Sequence, residues 1–260
     1  MDLIDTHAHL DMLKESSPDQ AVKEAAREGI KYIINIGSSI EGSRQAKALS
    51  ETFDNVYSAA GLHPHYAEGY GQKQEDILRS IIEDSKKVVA VGETGFDFFR
   101  NNSPRKDQLR AFESQIGLSL EYGLPVIIHD QDAHQDTFKV VARFAKQKGF
   151  RAVVHCYSGD RDFALRLIDL GLYISFTGVL TFPNAMKVVE AARDAPIDRI
   201  FLETDTPFLA PQAKRGQENQ PAYVRFIARK LAEIKGLSLD EVGTITTKNA
   251  IDFFGLEDAK

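Results

Sequence analysis

Seven histidines stand in this chain of 260 residues, and six of them occupy recurrent settings. His7 and His9 are one residue apart in Asp5-Thr6-His7-Ala8-His9. In an extended segment, residues i and i+2 point to the same side, so both imidazoles aim at one point. Imidazole nitrogen is a common ligand for Zn, Mn, Ni and Fe. His63 and His65 repeat the spacing around Pro64, and His129 and His155 each end an apolar run. Two acids sit in matching places: Glu93 in Val-Gly-Glu-Thr-Gly and Asp205 in Leu-Glu-Thr-Asp-Thr-Pro. Each has a bland reading alone. The pair could be solvated, a lone histidine could bond at a strand end, Glu93 could cap a turn and Asp205 could start a helix. The fold decides whether they meet.

Eight short apolar, β-branched runs recur: Leu3–Thr6, Tyr32–Ile36, Val56–Ala60, Val88–Gly92, Val126–His129, Ala152–His155, Leu172–Phe176 and Ile200–Glu203. Near-continuous apolar runs are the mark of parallel strands buried on both faces. Helical spacing lies between them. Leu109, Phe112, Ile116 and Leu120 follow Pro104, read as a first-turn proline. Phe163, Leu167 and Leu170 follow Asp160, read as an N-cap. Val224, Ile227, Leu231 and Ile234 end at Gly236, and Ser238 with Glu241 makes a capping box opening a last helix. Strand–helix alternation at about 30 residues per unit indicates βαβ repeats. The expectation is an α/β protein, one (β/α)₈ TIM-type barrel over residues 1–260, with an extra C-terminal helix. A doubly wound open sheet is the alternative; it would usually carry a glycine-rich loop after the first strand, where this chain has His7-Ala8-His9.

In a barrel, the C-terminal strand ends carry the active site. All the histidines but His134 fall at or just past such an end, joined by Glu93 and Asp205. His7, His9, Glu93, His129, His155 and Asp205 thereby converge from the first, fourth, fifth, sixth and eighth strands. Four imidazoles and two carboxylates suffice for two divalent ions bridged by a carboxylate, a hydrolytic arrangement. His63 and His65 are read as donors to an anionic substrate group, against a rigid loop set by Pro64. Asp97 is near enough in sequence to Glu93 to reach the same pocket or to hold its loop. Glu203 shares strand parity with Asp205 and is expected to face the interior beside the ligands. By the same parity Cys156 points away from His155 into the helix layer, a core cysteine rather than a nucleophile. His134 is given no role.

With 43% hydrophobic residues the chain has ample material for a core. A net charge of −6 argues against a broad basic face for nucleic acid. It leaves room for an anionic substrate, because divalent cations supply positive field locally. One cysteine excludes an intramolecular disulfide framework and fits a reducing compartment. No basic, then apolar leader is seen, and no apolar stretch approaches the ~20 residues of a membrane helix. The expected protein is cytoplasmic, off the membrane and, with no heptad seam, monomeric.

Six motifs in order carry a family resemblance: Ile4-Asp5-Thr6-His7-Ala8-His9-Leu10-Asp11, Gly61-Leu62-His63-Pro64-His65, Val91-Gly92-Glu93-Thr94-Gly95-Phe96-Asp97, Pro125-Val126-Ile127-Ile128-His129, His155-Cys156-Tyr157-Ser158-Gly159 and Leu202-Glu203-Thr204-Asp205-Thr206-Pro207. With Arg215-Gly216, Asn219-Gln220-Pro221, Asn249, Phe253 and Phe254, the chain resembles the TatD-type metal-dependent deoxyribonucleases along nearly its whole length. The resemblance implies a TIM-type barrel binding two or more divalent metals through His7, His9, Glu93, His129, His155 and Asp205. It implies hydrolysis of DNA phosphodiester bonds, often from a 3′ end, with a single strand or an end as substrate. Three positions depart from the family pattern: Gln131 where arginine is usual nearby, Gln217-Glu218 where a basic residue is usual, and Phe98-Phe99 where a tyrosine-containing pair is usual. The lost positive charge weakens the case for phosphate contacts.

The expected mechanism uses a metal-activated water. Asp205 is the proton acceptor, Glu93 the bridge, and His63, His65 and Arg215 the phosphate contacts. The metal is read as Zn, Mn, Mg, Ni or Fe. One rival is cleavage of an amide or ester, such as an aminoacyl-tRNA ester, on the same scaffold. The other, of a different class, is a catalytically silent barrel that binds a partner.

Overall fold

Every apolar run of the sequence becomes a strand in the computed structural model, which describes residues 2–256. The strands are β1 (Leu3–Ala8), β2 (Ile30–Ile36), β3 (Val56–Ala60), β4 (Val88–Asp97), β5 (Val126–Gln131), β6 (Ala152–Val154), β7 (Tyr173–Phe176) and β8 (Ile200–Leu202). They pair in sequence order, and each neighbouring pair is parallel. Beyond the end of β8 the chain returns to β1. Ala8 and Thr206 form a parallel bridge. The Asp205 N–H donates to His7 O at 2.8 Å, and the His9 N–H to Thr206 O at 2.7 Å. The wholly buried Asp5 carboxyl accepts from the Thr204 N–H at 2.8 Å and the Thr204 hydroxyl at 2.6 Å. Sequential order and a joined first and last strand make a barrel, not a doubly wound sheet.

Helices follow the strands: α1 (Pro18–Arg27), α2 (Ile40–Thr52), α3 (Gln72–Glu83), α4 (Arg105–Tyr122), α5 (His134–Phe144), α6 (Arg161–Asp169), α7 (Met186–Asp194), α8 (Val224–Lys235) and α9 (Leu239–Phe254). Their starts match the local chemistry. Asp160 caps α6 through the Phe163 N–H, and Ser238 with Glu241 forms the capping box of α9. Pro104 stands one residue earlier than expected, as the N-cap of α4. No described helix is long and apolar enough to cross a membrane.

α9 is more than an appendage. Phe253 and Phe254 pack with Ile4, Tyr32, Ile34, Val89, Ile127, Val153 and Phe201 in one buried cluster. Asn249 donates to Ile197 O and Ile200 O at the start of β8, and Thr247 donates to Asp2 O at the start of β1. The helix therefore closes the N-terminal end of the barrel and leaves the other end for chemistry.

Two strands are longer and less regular than their apolar runs indicate. In β1 the register against β2 shifts between Asp5 and Ala8. Leu3 and Ala8, of opposite parity, consequently both pack in the outer core while Ile4 joins the inner cluster. In β4 the expected end at Gly92 is overrun: the strand continues to Asp97, with a register shift between Val91 and Thr94. Glycines flank that shift for a physical reason. Gly92 and Gly95 have φ of 134° and 138°, and a Cβ at Gly95 would stand 2.2 Å from His129 O. The irregularity, an apparent strand end in sequence, carries Glu93 at its centre.

Candidate metal centre

The rim places the sequence-marked residues together. His7 in β1 and His9 just past its end bring their Nε2 atoms to 3.2 Å from each other. The His9 Nδ1–H donates to Ile36 O at 3.0 Å, which leaves Nε2 as the atom facing the pocket. Asp205 Oδ1 lies 3.7 Å from His7 Nε2 and 3.6 Å from His9 Nε2. Asp205 has φ 57°, an uncommon backbone for a non-glycine residue. The bonds joining it to His7 O and to the Phe208 N–H hold it there.

Glu93 stands at the centre. Its Oε1 is 3.5 Å from His9 Nε2. Its Oε2 is 2.9 Å from His155 Nε2, 3.6 Å from His129 Nδ1 and 3.7 Å from His7 Nε2. Oε1 thus faces His9, and Oε2 faces His7, His129 and His155. Ligand atoms of His7, His9 and Asp205, and likewise of His7, Glu93 and His155, lie within 4.8 Å of one another. His7, His9, Glu93 and His155 are all buried.

The electrostatics couple the acids and the imidazoles of the site. Burial opposes ionisation of Glu93, yet His63, His129 and His155 together hold its carboxyl well below the usual range. Burial also opposes charge on His9, but its hydrogen bond to Asp205 and the Glu93 charge raise it to about 9. Burial and the neighbouring His155 push His7 well below its ordinary value. One carboxylate ionised among crowded imidazoles, with nitrogens aimed at each other, fits a bound divalent ion. His7 Nδ1, His129 Nε2 and His155 Nδ1 are buried without a hydrogen-bond partner, so this set of side chains is not closed on itself.

A supporting layer surrounds the cluster. Glu203, just past the end of β8, is buried; it accepts the Cys156 N–H at 2.6 Å and lies 3.6 Å from His155 Nδ1. Asp97 lies 3.5 Å from His129 Nε2 and 2.7 Å from His65 Nε2. These contacts present a carboxylate to the far nitrogen of each imidazole, as in carboxylate–histidine–metal arrangements. The His129 link was not legible, because Asp97 reaches β5 only through the continued β4. His63, Asp97 and His129 form a third compact group. In it His63 Nδ1 accepts the His65 N–H at 3.0 Å, so Nε2 carries the ring proton and acts as a donor. Burial keeps this imidazole neutral, well below its ordinary pKa.

One residue falls elsewhere than expected. Cys156 does not enter the helix layer, because β6 ends at Val154 and strand alternation no longer applies. With φ 46° it lies half-buried, its Sγ 3.7 Å from the Thr177 hydroxyl. Burial, then the Asp205 and Glu203 charges, push its thiol well up, against a nucleophilic thiolate. Arg215 is exposed on the loop after β8 and forms no ion pair or side-chain hydrogen bond among the described residues. His134 opens α5, where Asp130 engages its Nδ1 at 2.7 Å. The departing positions have structural uses: Glu218 accepts the Lys14 and Glu15 N–H groups, tying the loops after β1 and β8, and Arg105 lies 3.8 Å over the Phe98 ring.

A parallel barrel whose C-terminal rim gathers four imidazoles and one aspartate around one buried glutamate belongs to the class of metal-dependent hydrolase barrels. Comparison with known proteins narrows the class. The family described as TatD related DNase matches residues 4–255. The metal-dependent hydrolase YcfH of Escherichia coli K12, of uncharacterised activity, is 37% identical over 261 residues, covering 99% of this chain and 97% of that protein. A Klebsiella pneumoniae protein named 3′-5′ ssDNA/RNA exonuclease TatD is 31% identical, covering 92% of each chain. The solved structure of YjjV, a TatD homologue from Escherichia coli K12, aligns with a TM-score of 0.91 at 30% identity over 98% of both chains. This chain belongs to the TatD-related DNase family of metal-dependent hydrolases.

Proposed function

We propose that the chain is a two-metal deoxyribonuclease that removes nucleotides from a 3′ end of single-stranded DNA. The observation that carries the reading is the buried Glu93 carboxylate, which lies within 3.7 Å of His7, His9, His129 and His155. In this reading His7, His9 and Asp205 would hold one divalent ion, His129 and His155 would hold a second, and Glu93 would serve both. Imidazole with carboxylate suits Zn, Mn, Ni or Fe, whereas Mg prefers more oxygen ligands. Divalent ions at such a site polarise a phosphoryl oxygen and acidify a water.

The chain's own groups do the rest. Asp205, at the mouth, takes the proton of the attacking water. The Nε2–H of His63 donates to a phosphoryl oxygen, an assignment that rests on its Nδ1 accepting a backbone N–H. His65, held by its Nε2–H to Asp97, flanks the same phosphate. Arg215, exposed on the loop after β8, meets a phosphate further along the strand. The K. pneumoniae exonuclease supports the choice of nucleic acid.

End-labelled single-stranded DNA, incubated with the protein and Mg²⁺, Mn²⁺ or Zn²⁺, tests the proposal. Stepwise shortening that vanishes in a folded Glu93→Ala variant is expected. Undiminished cleavage by Glu93→Ala, or hydrolysis of small amides and esters with none of DNA, would overturn it.

A further inference from the structure

Large apolar side chains are exposed at Tyr66, Phe99, Leu109, Met186, Phe208 and Leu209. Tyr66 after β3, Phe99 after β4, and Phe208 and Leu209 after β8 lie on connections leaving the C-terminal ends of strands, whereas Leu109 lies in α4 and Met186 opens α7. Exposed apolar surface scattered singly needs no explanation, but surface gathered on a functional rim does. The three aromatics are 56%, 67% and 50% exposed at Tyr66, Phe99 and Phe208, so their rings are available to a ligand.

Each aromatic adjoins a site residue and sits in a hydrogen-bonded turn. Tyr66 follows His65, and its N–H donates to His63 O at 2.9 Å. Phe99 lies within the turn closed by the Arg100 N–H to Asp97 Oδ1 at 2.7 Å. The Phe208 N–H donates to Asp205 O, its carbonyl accepts from the buried Asn219 amide, and its ring centroid is 6.3 Å from that of His9. Rings on braced turns lose little freedom when a ligand covers them. Arg100 and Arg215 stand on two of these connections, and neither forms an ion pair among the described residues. Flat aromatic faces with free guanidinium groups match nucleobases on a phosphate backbone.

We propose that Tyr66, Phe99 and Phe208 form a stacking collar for the unpaired bases of a single strand whose terminal phosphodiester enters the metal centre. This rests on the nuclease reading and adds the means of substrate selection. Bases in a duplex are already stacked and cannot offer both faces, so the collar selects single strands.

The test compares kcat/KM, for the metal-loaded protein, on a short single-stranded oligonucleotide and on the same backbone with abasic residues at its 3′ end. The wild type should prefer the base-bearing strand, and Phe99→Ala and Phe208→Ala should each lower that preference by about tenfold. Leu109→Ala, away from the rim, should keep it. An unchanged preference in both aromatic variants, with hydrolysis intact, overturns the collar and leaves the nuclease standing. Hydrolysis of neither strand by the wild type overturns the nuclease reading and the collar with it.

Discussion

Glu203→Gln separates charge from shape beneath His155. Glu203 is 1% exposed; its Oε1 accepts the Cys156 N–H at 2.6 Å and lies 3.6 Å from His155 Nδ1. Glutamine keeps an oxygen for the backbone N–H and removes the negative charge that orients the imidazole. Loss of such a supporting carboxylate typically lowers metal affinity by about 10–100-fold, or about 1.4–2.8 kcal/mol. Glu203→Ala does the same and also strands a buried N–H, at a further cost of about 1–3 kcal/mol in folding stability. Competition of each variant against a chromophoric chelator for Mn²⁺ or Zn²⁺, with thermal unfolding alongside, distinguishes the effects. Glutamine should weaken ion binding at nearly unchanged Tm, and alanine should weaken both. Ion affinity within twofold of wild type in both variants would refute the role of Glu203.

Other residues give independent tests. Gly95→Ala places a methyl against His129 O where 2.2 Å is available; overpacking and positive φ should together cost about 3 kcal/mol or more in denaturant unfolding, and wild-type stability would contradict the close approach. His63→Leu removes a donor from the substrate phosphate and should lower kcat/KM by about 10–100-fold, the value of one hydrogen bond to a charged group, with ion affinity retained; unaltered kinetics would dismiss it as a phosphate contact. Hydrogen bonding to Asp130 raises the His134 pKa. Its contribution to stability is thus full below the ordinary value near 6.5 and is lost as pH rises through the raised folded value. An NMR titration should show that elevation and its collapse in Asp130→Asn; a His134 pKa at or below the ordinary value would contradict the pairing.

What could be read before the structure follows from local physics. Apolar runs mark strands buried on both sides, and Asp160 and Ser238 mark helix starts through bonds made within one turn. The six rim residues were legible because a barrel turns position at a strand end into position in space. The misplaced features all depend on where regularity stops. Gly92 looks like a strand end, yet it is the bulge that aims Glu93. Alternation points Cys156 into the helix layer, but β6 ceases at Val154 and alternation with it. Asp97 reaches His129 only because β4 runs on, and the exposed aromatics of the rim have no period to betray them.

The central claim is that Glu93 joins two ion sites. Calorimetric titration of metal-stripped protein with Mn²⁺ tests it most directly. Two ions per chain are predicted for the wild type, with tight binding lost in Glu93→Ala at unchanged secondary structure. One ion or none in the wild type, or full binding by Glu93→Ala, would contradict it.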